Sequence, residues 1–133
     1  MTFYICHCRD CQRQSSSAFG MSLWVAPENF ELVAGKLEFW QTAGDSGAAK
    51  ICAFCGDCGS RIYHACDDPS APVSIKAGTL DDLTGLAPVA ELWTRRAHPW
   101  ARVASDNCLA FDGEPDSDER LLARWREARS GPS

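Results

Sequence analysis

The 133-residue chain has no apolar run near the ~20 residues that a membrane-spanning helix needs, and no membrane partner is expected. No charged, then apolar, then small-residue signal pattern stands at its N-terminus, so the cytoplasm is the expected location. There is no basic patch. Lys and Arg number 13 against 18 Asp and Glu, for a net charge of −5, and no electrostatic footprint for nucleic acid follows. Without a basic groove, the five tryptophans read as core or pocket walls rather than as stacking platforms for bases. Internal repeats at solenoid spacing and low-complexity segments are also missing. What remains, 45% hydrophobic and 23% charged, has the make-up of one soluble domain.

Against these absences stand eight cysteines. Disulfides are rare in a reducing compartment, so clustered cysteines read as metal ligands or catalytic thiols. Cys6, Cys8 and Cys11 form one cluster, and Cys52, Cys55 and Cys58 a second. Cys66 and Cys108 stand alone and read as small buried hydrophobes.

The pattern along the chain predicts a mainly β fold: a compact antiparallel domain of short strands, with one helix at the C-terminus. Thr2–Ile5 is β-prone and leads into the first cluster. Gln12–Ser17 is polar and serine-rich, a loop or turn. Phe19–Val25 reads as a strand closed by Pro27. Phe30–Val33 and Leu37–Trp40 flank Ala34-Gly35-Lys36 as a hairpin. Gly44–Gly47 is a loop, and Ala49–Phe54 and Arg61–His64 are strands on either side of the second cluster. Asp67–Pro72 is a turn. Val73, Ile75 and Ala77 alternate with Ser74 and Lys76, a strand with one buried face. Gly78–Asp82 is a turn, and Val89–Arg95 a strand. Asp116 and Glu119 are spaced as a capping box for a helix that buries Leu121, Leu122 and Trp125 and ends at Gly131-Pro132. The domain reading is residues 1–115 as the β domain, with 116–133 as helix and tail packed on it.

Cys6 and Cys8 are two apart on a strand, so their sulfurs share a face. Cys11 can join them if the chain turns, and zinc–sulfur bonds of ~2.3 Å require such convergence. Cys55-x2-Cys58-Gly59 has knuckle spacing, with Gly56 and Gly59 easing the turn. Two arrangements stay open. One is a closed structural site from Cys6, Cys8, Cys55 and Cys58. The other is a three-cysteine site of Cys6, Cys8 and Cys11 with a fourth position free, as catalytic zinc has. Spacing alone favours the closed one. His7 lies on the opposite strand face from its neighbours and reads as a surface or packed histidine. His64 reads the same way, His98 sits at a bend, and no pair of histidines has metal-site spacing.

The ordered set of motifs carries a resemblance. Cys6-His7-Cys8-Arg9-Asp10-Cys11-Gln12, Ser17-Ala18-Phe19-Gly20 and Val25-Ala26-Pro27-Glu28-Asn29-Phe30 come first. Gly35-Lys36-Leu37, Phe54-Cys55-Gly56-Asp57-Cys58-Gly59-Ser60, Ala77-Gly78-Thr79-Leu80-Asp81-Asp82 and Pro99-Trp100 follow. Over residues 4 to 115 the chain resembles the glutathione-dependent formaldehyde-activating enzyme family. The resemblance implies a mostly antiparallel β fold shared with methionine sulfoxide reductase B and with a zinc-binding chaperone of Rab GTPases. It implies a carbon–sulfur lyase activity that forms or cleaves adducts of a small thiol, glutathione or similar, with formaldehyde or a related aldehyde. It implies zinc as cofactor, with Cys6, Cys8 and Cys11 as the catalytic site and Cys55 and Cys58 as half of a structural one. By the same match Ser17, Phe19, Thr79, Asp81 and Trp93 would line the substrate pocket. It also reverses the preference from spacing, toward the open three-cysteine site.

The chain departs from the family pattern in two places. Five residues precede Cys6, so the family's upstream Cys-x-Cys is not in this sequence, and the second metal site is expected to be impaired or empty. The sheet edge left unpaired is one that a second copy could cover, as a homodimer. Where the family commonly has His-Ile-Trp, this chain has Glu91-Leu92-Trp93. Cys52 is given no role by the pattern. A non-catalytic zinc module for a protein or peptide partner is the alternative reading. Methionine sulfoxide reduction would need an activated thiol, and nothing around Asp106-Asn107-Cys108 marks one.

Overall fold

The computed structural model describes residues 1–44 and 47–131. In chain order its strands are β1 (Thr2–Cys6), β2 (Gly20–Val25), β3 (Leu37–Ala43), β4 (Ala49–Cys55), β5 (Arg61–Ala65), β6 (Val73–Lys76), β7 (Ala90–Leu92) and β8 (Leu109–Ala110). Two α-helices accompany them, α1 (Arg9–Ser15) and α2 (Asp118–Ser130). The fold is mainly β, with a C-terminal helix, as the sequence predicts. The chain forms two compact units, Met1–Ser22 with Thr84–Ser133, and Leu23–Leu83.

In the first unit two strand pairs, β1 with β7 and β7 with β8, are parallel rather than antiparallel. Tyr4, Ile5 and Cys6 of β1 lie opposite Ala90, Glu91 and Leu92 of β7, and β7 pairs in parallel with β8. No hairpin dictates direction between strands so far apart in sequence. Phe3 and Ile5 are buried on β1, and all three β7 residues are buried. The strand expected over Val89–Arg95 stops at Leu92 because Trp93 turns into the left-handed region, at φ 58°, and a short 3-10 turn, Thr94–Arg96, follows. On α2, Leu121 and Trp125 are buried one turn apart, with Leu122 half-buried beside them, the apolar face that the periodicity predicts. Thr2 Oγ1 donates to the Leu121 carbonyl at 3.3 Å and ties α2 to β1. The capping box does not form. The helix starts at Asp118 with Ser117 as its N-cap, so Asp116 lies outside it and pairs with Arg120 at 3.0 Å instead. Gly131 is the C-cap, and Pro132 lies outside the described residues.

The expected loop over Gln12–Ser17 is mostly helix. Cys8 caps α1 by accepting from the Cys11 N–H at 3.4 Å, and Asp10 and Arg13 sit at the ends that suit their charges. Ser16, left-handed at φ 52°, ends it.

The second unit is an antiparallel meander from β3 to β6. Leu37 lies opposite Cys55 and Ala43 opposite Ala49, so β3 pairs with β4 and not with Phe30–Val33. The expected hairpin is absent: Phe30 packs edge-on against Tyr63 at 4.8 Å, while Leu32 and Val33 stay exposed. Asp45 and Ser46 of the expected loop lie outside the described residues. On β6 burial does not alternate, since Ser74 and Lys76 are buried as well as Val73. The Lys76 amine lies 2.5 Å from His64 Nδ1. Burial first, then Lys76, pushes His64 down to about 2, so that ring is a neutral partner for the lysine.

Candidate metal centre

β1 delivers Cys6 to the end of a strand, and the chain then turns through His7 and Cys8 into α1, which carries Cys11 on its first turn. The turn makes the third thiol fold back. The three sulfurs lie within 4.8 Å of one another, close enough to hold one metal ion, and among the described residues the group stops at three. Tetrahedral coordination at ~2.3 Å places sulfurs roughly 3.8 Å apart, so the cluster fits zinc with little adjustment. Cys6 and Cys11 are buried and Cys8 is half-buried. They belong to an apolar cluster with Ala90, Leu92, Phe111 and Leu121, against which Trp93 packs.

Crowding and burial act together on these thiols. The Cys6 thiol is driven far above its ordinary value, first by its hydrogen bond to Cys11, then by that to Cys8, then by burial. Cys8 is raised too, chiefly by Cys11. Three sulfurs this close cannot all be thiolates while only they share the space, and a divalent cation at their centre removes that repulsion. The donor set therefore fits a sulfur-binding metal such as zinc.

A buried polar network holds the turn. His7 is fully buried, with Nε2 3.0 Å from Glu91 Oε1 and the ring edge-on to Phe19 at 5.5 Å. The Glu91 carboxylate also accepts from the Val103 N–H at 3.0 Å and from Arg102 Nε at 3.2 Å. Burial pushes this carboxyl up, but the Val103 N–H, Arg102 and His7 outweigh it and hold it below the ordinary range. His7 is thus a packed histidine, in the turn that follows β1 rather than on the strand itself. Gln12, buried on α1, donates through Nε2 to the His7 carbonyl at 2.7 Å and to the Arg96 carbonyl at 3.0 Å. Gly20 closes the site from β2: a Cβ there would stand 3.2 Å from Cys11 Cβ and 3.4 Å from its sulfur. Sequence reasoning did not single out Gln12, Gly20 or Glu91 as site residues. The available signal was an acid at Glu91 between Ala90 and Leu92, since an ionisable residue in an apolar strand needs partners.

Of the remaining expected residues, Trp93 packs on the cysteine cluster and its indole N–H donates to Glu114 at 3.0 Å. Phe19 packs on His7, and Ser17 lines a pocket beside α1. Thr79 and Asp81 belong to the second unit, where the Thr79 hydroxyl donates to the Lys76 carbonyl at 2.7 Å and Asp81 is exposed. Cys55 and Cys58 flank a tight turn in that unit. The Gly59 N–H donates to the Cys55 carbonyl at 2.8 Å, and Gly59 has φ 77°, which favours glycine. Hydrogen bonds from Ser60, then Cys55, hold the exposed Cys58 thiol below its ordinary value. Among the described residues no third histidine, cysteine or carboxylate completes a metal group with these two. Cys52 is buried on β4. The two solitary cysteines are half-buried rather than buried, and burial, then Glu91, pushes the Cys108 thiol up to about 11.

Comparison with known proteins gives one family: the model described as glutathione-dependent formaldehyde-activating enzyme matches residues 1–96 of the chain. No curated protein matches it.

Proposed function

We propose that this chain, which belongs to the glutathione-dependent formaldehyde-activating enzyme family, is a zinc-dependent enzyme of the carbon–sulfur lyase type. It would join formaldehyde or a related small aldehyde to glutathione or another small thiol, and cleave such adducts in reverse. The observation that carries this reading is the convergence of three thiols, and no more among the described residues, on one point. A set of three protein ligands leaves a coordination position free, which a purely structural zinc does not.

Cys6, Cys8 and Cys11 would hold the ion. When bound, zinc supplies a Lewis-acid charge that favours the thiolate form of a thiol brought to it. The protein's own part is position and dryness. The buried His7–Glu91 pair and Gln12 fix the turn that carries the sulfurs. The apolar cluster with Trp93 keeps water from the buried side. Holding thiol and aldehyde together removes part of the entropic cost of their meeting. In the reaction the thiol sulfur bonds to the carbonyl carbon, and the carbon–oxygen π pair passes to oxygen. That oxygen takes up the proton which the thiol gives up, so nothing is oxidised or reduced. Cys55 and Cys58 would contribute to a second, structural site only with further ligands.

The experiment is zinc analysis of freshly purified, reduced protein together with glutathione-dependent consumption of formaldehyde. Wild type should carry zinc and consume formaldehyde faster than glutathione alone does, and Cys8→Ser should lose both properties. A Cys8→Ser protein without zinc but with full activity would remove the catalytic role of the metal.

A further inference from the structure

A pocket of about 430 Å³ opens between α1 and the segment that follows β7. Arg9, Arg13, Ser16 and Ser17 line one side, and His98 and Trp100 line the other. No cysteine lines it. Successive residues of an α-helix are about 100° apart, so Cys11 lies on the face of α1 opposite Arg9 and Arg13. The arginines therefore face a pocket of their own, separate from the three sulfurs. Its two walls are tied together by Gln12, which is 5% exposed. Gln12 Nε2 donates to the His7 carbonyl at 2.7 Å and to the Arg96 carbonyl at 3.0 Å, which joins α1 to the stretch that carries His98 and Trp100. Gln12 Oε1 accepts from Arg9 NH1, so that guanidinium is braced in advance of any ligand.

The charges in this pocket are unbalanced. Among the described residues every ion pair involves other groups, and neither Arg9 nor Arg13 pairs with a carboxylate. Two cations one helical turn apart disfavour each other. They do so in a chain whose net charge is −5, where acids are not scarce. An anion between them removes that repulsion. A carboxylate brings two oxygens and one charge, whereas a phosphomonoester brings three oxygens and a charge of about −1.5 to −2 at pH 7. Two guanidinium forks and two serine hydroxyls match the phosphomonoester better. Across the pocket Trp100 stands on a 3-10 turn, Pro99–Ala101, whose proline fixes the backbone. The indole is held 78% exposed, with the His98 ring stacked on it at 5.4 Å and the ring planes 16° apart. That wall is a flat apolar platform, and it suits a flat ring.

We infer that this pocket binds a mononucleotide, with Arg9 and Arg13 holding its phosphate and Trp100 stacking on its base. Ser16 and Ser17 supply further donors to the phosphate oxygens. The volume is that of a small-molecule site. The chain has no basic patch along which a longer nucleic acid could run, so one nucleotide and not a strand is the fitting ligand. Such a ligand is neither the thiol nor the aldehyde of the reaction proposed above, and its binding needs no metal.

The test is calorimetric titration of adenosine 5′-monophosphate into the full chain, with adenosine, ribose 5-phosphate and succinate titrated separately. Stacking tolerates any base, so one nucleotide serves as the probe. The nucleotide should bind wild type about tenfold or more tighter than adenosine, which lacks the phosphate, and than ribose 5-phosphate, which lacks the ring. Succinate, a dianion without phosphate or ring, should bind more weakly still. The Arg9→Gln/Arg13→Gln double variant should lose at least tenfold in affinity for the nucleotide and nothing for adenosine. Trp100→Ala should lose about tenfold for the nucleotide and nothing for ribose 5-phosphate. Loss that follows the ligand group in this way does not arise from a general loosening of the fold. The three comparison ligands need no mutation, so their arm stands even if a variant folds poorly. No binding of the nucleotide to wild type would overturn the inference. So would equal affinity for the nucleotide and any one of the three comparison ligands, or unchanged nucleotide affinity in a folded double variant.

Discussion

Replacing Glu91 with alanine should cost the fold about 3–5 kcal/mol, the usual price of breaking a buried, hydrogen-bonded charge. The side chain is 2% exposed and accepts from His7 Nε2, the Val103 N–H and Arg102. His7 is fully buried, so truncation strands its ring nitrogen and the Val103 N–H, at about 1–3 kcal/mol for each unsatisfied group. Arg102 is 42% exposed and regains water, so its share is small. Glu91→Gln keeps an oxygen for Val103 but loses the charge, and should cost about half as much. Urea denaturation with a constant m value is the assay, and the melting temperature of Glu91→Ala should fall by roughly 10–20 °C for a chain of this size. The pH dependence has a definite sign. The folded carboxyl is held below its ordinary value, so its contribution is complete above the unfolded pKa of about 4.3 and is lost as pH falls through the lower folded value. Wild type and Glu91→Gln should therefore converge in stability as pH falls through that lowered value. A loss under about 1 kcal/mol for Glu91→Ala, or a gap to Glu91→Gln that does not close on acidification, would refute the reasoning.

Other substitutions test neighbouring parts. Gly20→Ala places a methyl group 3.2 Å from Cys11 Cβ, so zinc affinity, measured by chelator competition, should drop severalfold with little change in secondary structure. Trp93 has φ 58°, so Trp93→Gly should be more stable than Trp93→Ala by about 1 kcal/mol in thermal melts, the reverse of the usual order. Leu121→Ala removes a side chain that is 2% exposed and should cost about 2–5 kcal/mol by denaturant titration.

The parts of the molecule legible in the sequence are those fixed by local spacing. Cys6, Cys8 and Cys11 could be grouped because so few residues separate them, and the face of α2 because Leu121 and Trp125 are one turn apart. The structure brings the three sulfurs together, where spacing alone favoured a closed site with Cys55 and Cys58, and it buries Leu121 and Trp125 as their spacing predicts. Helix α1 was not legible: at seven residues it is too short for a periodic signal, and its cap is a cysteine rather than a serine or aspartate. Pairings across long stretches were hidden as well. Nothing near Glu91 announces His7, 84 residues away, and nothing near Cys6 announces a parallel neighbour at Leu92. The hairpin expected at Ala34-Gly35-Lys36 had turn chemistry on its side, but β3 pairs with β4 along seven residue positions instead.

The central claim is an open three-sulfur metal site, and zinc-edge X-ray absorption tests it most directly. The protein to use is the Cys55→Ser/Cys58→Ser variant, freshly reduced and loaded with one zinc per chain, so that only Cys6, Cys8 and Cys11 report. The account predicts three sulfur neighbours at about 2.3 Å and one lighter oxygen or nitrogen neighbour. Four sulfur neighbours, or a variant that takes up no zinc at all, would contradict it.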